Sequence, residues 1–162
     1  VKPDIVSMAK AMGGGMPIAA CCTTKEIAEA FGSGTHGSTY GGHPVACAAA
    51  LASISEILDK DLSGNAKVVG EYMVEQMSKL PHVKEARGRG LLVGCEYDLP
   101  IALEVKWGCM RRHALITAIG SSVNRMIPPL IATKEDVDKL MGIMEESIND
   151  AVEKYQKLTK AA

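Results

Sequence analysis

The chain has 162 residues and a formal net charge of -1, long enough for a domain with its own core. It has no run of Lys or Arg of the kind that marks a nucleic-acid interface, and no segment apolar for long enough to span a bilayer. The first residues do not carry the charged region and apolar core of a secretory signal.

The five cysteines, Cys21, Cys22, Cys47, Cys95 and Cys109, are odd in number and argue against a disulfide framework; a reducing cytosol suits them. Nine Met beside one Phe and one Trp point to an aliphatic, Met-filled core.

Residues 1–24 read as strand, glycine turn, strand. Asp4 to Ala9 is a short apolar stretch that ends in Lys10, and Gly13-Gly14-Gly15-Met16-Pro17 follows. Ile18 to Cys22 reads as a strand buried on both faces. Thr24 is placed to N-cap a short helix over 25–31. Gly32 to Gly42 reads as a loop whose glycines permit positive φ and close approach to a ligand. Pro44 suits the first position of a helix over 45–58, rich in Ala and Ser and able to pack closely. Residues 65–80 carry an amphipathic pattern, with Val68, Val69, Tyr72, Met73, Gln76, Met77 and Leu80 near one face, and Pro81 stops it. Residues 83–89 and 91–97 predict a strand with a charged lead-in. Residues 101–113 predict a helix, and 115–118 and 124–127 predict short strands around Gly120-Ser121-Ser122. Thr133 caps a last helix running towards Leu158, with Glu135 and Asp136 in its first turn as the helix dipole prefers. Strands and helices after residue 81 suggest a small α+β domain.

Three motifs carry chemistry. A lone Lys near a strand end is usually a solvated surface residue. Met8, Ala9, Ala11, Met12 and Met16 give Lys10 an apolar surround, however, and the glycines leave room for a ligand, so its amine suits Schiff-base chemistry with a carbonyl compound. Its glycines follow the Lys, unlike those of a Walker motif. In Gly37-Ser38-Thr39-Tyr40-Gly41-Gly42 the hydroxyls and the helix start at Pro44 suit an anion such as phosphate; an ordinary flexible loop fits the same residues equally well. In Asn124-Arg125-Met126-Ile127-Pro128-Pro129-Leu130 an Arg inside an apolar strand needs a counter-charge. A carboxylate ligand is one answer, and Arg suits it, but on these residues alone an internal ion pair is favoured. His43 and Cys47 are spaced to share a helix face, but without the paired spacing of a zinc site they read as ordinary small residues, and no metal is expected.

Taken in order, residues 2–18, 35–50, 87–94 and 124–130 resemble the class III pyridoxal-phosphate aminotransferases, with the acetylornithine branch the nearest and the ornithine and 4-aminobutyrate enzymes as relatives. The likeness runs over nearly the whole chain. It implies an aspartate-aminotransferase-like PLP-dependent transferase fold: α/β plus α+β, with residues 1–70 as the end of the large cofactor domain including the interdomain helix, and 71–162 as the small C-terminal domain. Lys10 matches the lysine that binds pyridoxal 5'-phosphate and then moves the proton as general base and acid. Ser38 and Thr39 match cofactor-binding positions, Thr39 the one that reaches the phosphate of the partner subunit. Arg125 matches the arginine that binds the α-carboxylate of the substrate. The resemblance implies a cytoplasmic homodimer that transfers an amino group from an amino acid to a 2-oxo acid, 2-oxoglutarate, in arginine biosynthesis, with no nucleic-acid or membrane partner.

Two positions depart from the family pattern: His43 stands where Asn is usual and Ala11 where Gly is common. Family members are more than twice this long. Their N-terminal portion carries a further phosphate-binding turn, the aromatic that stacks on the cofactor and the Asp that pairs with its pyridine nitrogen. The chain alone is therefore expected to have little or no transaminase activity. The alternatives are a different class III substrate (ornithine, 4-aminobutyrate or succinyldiaminopimelate) or an inactive interaction module with Lys10 as a relic.

Overall fold

The structure, a computed structural model, describes residues 2–160. Two compact units divide the chain between Asp61 and Leu62, ahead of the division expected after residue 70.

The first unit opens with strand β1 (Ile5–Met8), a 3-10 turn (Lys10–Gly13) and strand β2 (Ala20–Thr23). The strands pair antiparallel, Ser7 opposite Cys21 and Met8 opposite Ala20. Helix α1 (Lys25–Ala28) is a single turn capped by Thr24, whose Oγ1 accepts from the Ile27 N–H at 3.4 Å. A glycine-rich loop then leads to helix α2 (Pro44–Asp59), with Pro44 at its first position. This unit has little core of its own: Gly13, Ala46 and Ala50 are its buried residues among those described. The expectation that the strands are buried is corrected here. β1 is exposed throughout and β2 is at most half-buried, because a two-stranded ladder has no neighbouring strands or covering layer within the unit.

The second unit is a four-stranded antiparallel sheet with one long and two shorter helices. Helix α3 (Leu62–Met77) is followed by β3 (Val83–Arg89) and β4 (Leu92–Tyr97), then α4 (Ala102–Arg111), β5 (Thr117–Ile119), β6 (Val123–Met126) and α5 (Lys134–Lys160). The sheet order is β3-β4-β6-β5. Residues 83–97 thus form a hairpin of two strands rather than one strand with a lead-in, turned at Gly90, which sits at φ 54. Val68, expected on the packed face of α3, is exposed; Leu62, Ala66, Val69, Gly70, Met73 and Met77 form the buried stripe instead.

The core is aliphatic and Met-filled, as expected. Met73, Met77, Met126 and Met144 are buried at 0–2% exposure beside Val93, Ile101, Val105 and Ile148. Close glycine contacts bring the layers together. A Cβ at Gly108 of α4 would lie 2.7 Å from that of Ser147 on α5. Arg112 brackets the same two helices, donating to Glu146 and Asp150 at 2.8 Å each. Thr133 caps α5 reciprocally with Asp136: the Thr133 N–H donates to Oδ2 at 3.0 Å, and the Asp136 N–H donates to Oγ1 at 3.3 Å. That contact holds the Asp136 carboxyl below its usual range. Burial pushes the Cys95 thiol up to about 11 and raises that of Cys109, so both are protonated fillers of the core.

Candidate functional site

The first unit holds a cavity of about 1180 Å³. β1 and β2 supply one wall through Ser7, Met8, Ala20 and Cys21; the segment 17–19, Phe31 and the start of α2 at Ala46 complete it with the glycine loop. That loop contributes His36, Ser38, Tyr40, Gly41, Gly42 and His43. Ala9 lines the cavity, and Lys10 is the next residue.

Lys10 begins the 3-10 turn at φ 45, a left-handed conformation that a lysine rarely adopts. The turn is held by α2: the Ser53 hydroxyl donates to the Ala11 carbonyl at 3.5 Å, and Gly14, at φ 57, lies where a Cβ would stand 3.9 Å from that of Ser53. Gly13 cannot carry a side chain, because its Cβ would meet Ile18 Cγ2 at 2.7 Å. The ammonium group of Lys10 has no hydrogen bond or ion pair with any described residue. The apolar surround expected for it is not closed: Met8 and Met16 are themselves exposed, and so is Lys10. A unit with so few buried residues cannot desolvate the amine.

The glycine loop is pinned by short backbone turns. The Gly41 N–H donates to the Ser38 carbonyl and the His43 N–H to that of Tyr40. His43 stands at the N-cap of α2 without bonding the helix through its side chain, which leaves the first-turn N–H groups without a side-chain cap. Around Gly37 and Gly42 no atom lies within 4 Å of where a Cβ would stand. Ser38 lines the cavity, whereas Thr39 lies outside its lining; both are exposed. The structure therefore gathers Ser38 and the residue before Lys10 around one space. Tyr40 and His36 line it too, although neither stands out in the sequence; the signal for them is their place within the same loop. No group of three or more His, Cys, Asp or Glu side chains could hold a metal among the described residues.

Arg125 belongs to the second unit. It lies on β6 between Gly94 of β4 and Thr117 of β5, on the open face of the sheet. The internal ion pair expected for it does not form. The nearby carboxylate Glu96, two residues along β4 from Gly94, is taken by Arg87 at 2.8 Å and Lys84 at 3.3 Å, which hold it below its usual range. Arg125 keeps its charge exposed and has no ion pair with any described residue, so water rather than a counter-ion meets its solvation cost.

Comparison with known proteins bears on most of the chain. The family model Aminotransferase class-III matches residues 1–148. The acetylornithine aminotransferase of Methanosarcina mazei is 41% identical over 150 residues, which is 91% of this chain and 37% of that protein. Ornithine aminotransferase 2 of Staphylococcus aureus is 41% identical over 144 residues, 85% of this chain and 35% of that protein. Among solved structures, acetylornithine aminotransferase from Elizabethkingia anophelis superposes with a TM-score of 0.84 at 30% identity, covering 93% of this chain and 42% of that one. The ornithine aminotransferase of Toxoplasma gondii, whose structure shows partial occupancy of PLP at the active site, gives 0.86 at 30% identity, covering 96% of this chain and 38% of that one. The chain thus spans well under half the length of these relatives. Its α/β hairpin unit and its α+β unit are consistent with part of their fold, and the chain belongs to the class III aminotransferases.

Proposed function

We propose that this chain is the C-terminal part of a pyridoxal-phosphate-dependent aminotransferase, the end of the large domain (1–70) and the small domain (71–162), acting on acetylornithine with 2-oxoglutarate as acceptor in arginine biosynthesis. The observation that carries the reading is a cavity lined by Ala9, Ser38 and the start of α2, which has no side-chain cap, with the unpaired Lys10 next in sequence to Ala9. These residues fit a phosphorylated carbonyl compound. An amine without a partner suits the carbonyl, and a hydroxyl, helix N–H groups and open glycine positions suit the phosphate.

In this reading Lys10 Nζ and Ser38 hold pyridoxal phosphate, and exposed Thr39 serves the phosphate of a partner subunit's cofactor in a homodimer. When bound, that cofactor supplies an electron sink for the charge left on the substrate carbon. With the cofactor bound, Lys10 Nζ would take the proton from the substrate carbon as general base and deliver it to the cofactor carbon as general acid. Arg125 orients the α-carboxylate of the amino or oxo acid through its planar fork of donors. Five free cysteines support a reducing compartment, and in this reading the protein acts in the cytoplasm. Among the described residues no helix is long and apolar enough to cross a membrane.

The test is a steady-state assay of the full-length protein with acetylornithine, ornithine and 4-aminobutyrate as donors, beside the 162-residue chain alone. The reading expects acetylornithine to give the highest kcat/KM, by roughly tenfold or more. It expects the chain alone to be inactive, since the rest of the cofactor site lies in the portion that the relatives have in addition. A preference for ornithine or 4-aminobutyrate would move the substrate assignment within the family. Absence of any transamination by the loaded full-length protein would leave the inactive-module reading standing.

A further inference from the structure

We infer that Asn124 is a positioning residue for substrate-carboxylate recognition: its buried side chain fixes the register of β6 so that Arg125 faces outwards. The inference rests on the reading of Arg125 given above. Asn124 is fully buried, one of two buried polar residues among those described. Each side-chain bond it makes runs to a different element. Its Nδ2 donates to the carbonyls of Ala102, at the start of α4, at 2.9 Å and of Thr117, on β5, at 3.4 Å. Its Oδ1 accepts from the Tyr97 hydroxyl at the end of β4, at 2.9 Å. Tyr97 is itself buried and is tied to the turn between β5 and β6, its N–H donating to the Ser122 carbonyl at 2.8 Å.

Such a lock has a specific use in this sheet. β6 has four residues and β5 three, so few ladder bonds define their alignment. A slip of one residue would turn Arg125 into the core and Asn124 to solvent, because strand side chains alternate. Apolar residues alone resist this only by burial, which tolerates small shifts. A buried amide with three directional partners does not, since a displaced Asn leaves its own groups and those of Tyr97 unpaired in a dry environment. Thr117, whose carbonyl receives one of the bonds, is the residue paired with Arg125 in the ladder. The bond therefore holds the strand that flanks the guanidinium as well as the strand that carries it. Displacements near 1 Å at a substrate-orienting group are costly to the reaction, so a register lock next to Arg125 acts on substrate binding without touching substrate.

The test uses the full-length protein loaded with pyridoxal phosphate. It follows single turnovers with L-glutamate and with 4-aminobutyrate, which is glutamate without its α-carboxylate, and Arg125→Lys is run in parallel. Asn124→Leu combined with Tyr97→Phe replaces the Asn–Tyr pair by apolar groups of similar size and removes the donor from the Ala102 and Thr117 carbonyls. The expected result is a folded protein whose half-saturating glutamate concentration rises roughly tenfold, with a limiting rate changed by less than about twofold and 4-aminobutyrate unaffected. Equal changes for both amines, or none for either, while Arg125→Lys weakens glutamate selectively, would overturn the positioning role and leave Arg125's role intact. An Arg125→Lys protein that treats both amines as the wild type does would overturn the carboxylate reading, and the positioning role with it. If the double variant does not fold, Tyr97→Phe alone carries the comparison: a glutamate-selective rise of about threefold is expected, and an unchanged value overturns the inference.

Discussion

Replacing Gly70 by alanine should destabilise the second unit by roughly 4 kcal/mol or more, enough to unfold many domains of this size. The cause is steric and involves backbone on both sides. A Cβ on Gly70 of α3 would stand 2.0 Å from the carbonyl oxygen of Gly90 and 2.4 Å from its carbonyl carbon. No rotamer change relieves such a contact, so α3 must move off the β3–β4 turn. Met73 and Met77, both fully buried on the same helix, would move with it. The hairpin cannot give way either, because Gly88 is equally confined: a Cβ there would lie 2.5 Å from the Leu92 carbonyl oxygen. Gly142 provides the contrast. It lies within α5 with nothing inside 4 Å of where a Cβ would stand, so Gly142→Ala should stabilise by about 1 kcal/mol through helix propensity. Urea denaturation followed by circular dichroism checks both. Equal midpoints for Gly70→Ala and the parent chain would show that the helix–hairpin contact is not close.

The second large effect concerns chemistry. Lys10→Ala in the full-length protein should lower turnover by more than about a thousandfold, because under the proposed function it removes both the group that would hold the cofactor and the group that would move the proton. Stability of the cofactor-free protein should be nearly unchanged. Lys10 is exposed and has no side-chain partner among the described residues, and alanine carries the same Cβ at φ 45, so the backbone strain stays as it is. A thermal unfolding scan beside the rate assay separates the two. Normal turnover in the variant would refute the role assigned to Lys10.

Much of this was legible in the residues themselves. The helix starts at Thr24, Pro44 and Thr133 were readable because caps are local: a hydroxyl or a ring at the right position acts on the next turn. The Met-rich core of the second unit was readable because its helices keep one apolar stripe. Burial of β1 and β2 was not, since an apolar run states only that a strand can be covered; within the first unit nothing covers it. Arg125 shows the same limit. Its neighbours in sequence argued for an ion pair, yet strand alternation places it on the open face, where Glu96 is already bound to Arg87 and Lys84. The importance of Asn124 was illegible because its partners, Tyr97, Ala102 and Thr117, lie between seven and 27 residues away and meet only in the folded sheet.

Under the proposed function Lys10 is the residue that captures pyridoxal phosphate. The most direct measurement is to load the full-length protein with the cofactor, reduce with borohydride, digest, and locate the pyridoxyl group by mass spectrometry. The account predicts near-stoichiometric label on the peptide containing Lys10, lost in Lys10→Ala. Label spread over surface lysines, or concentrated on a different lysine, would contradict it.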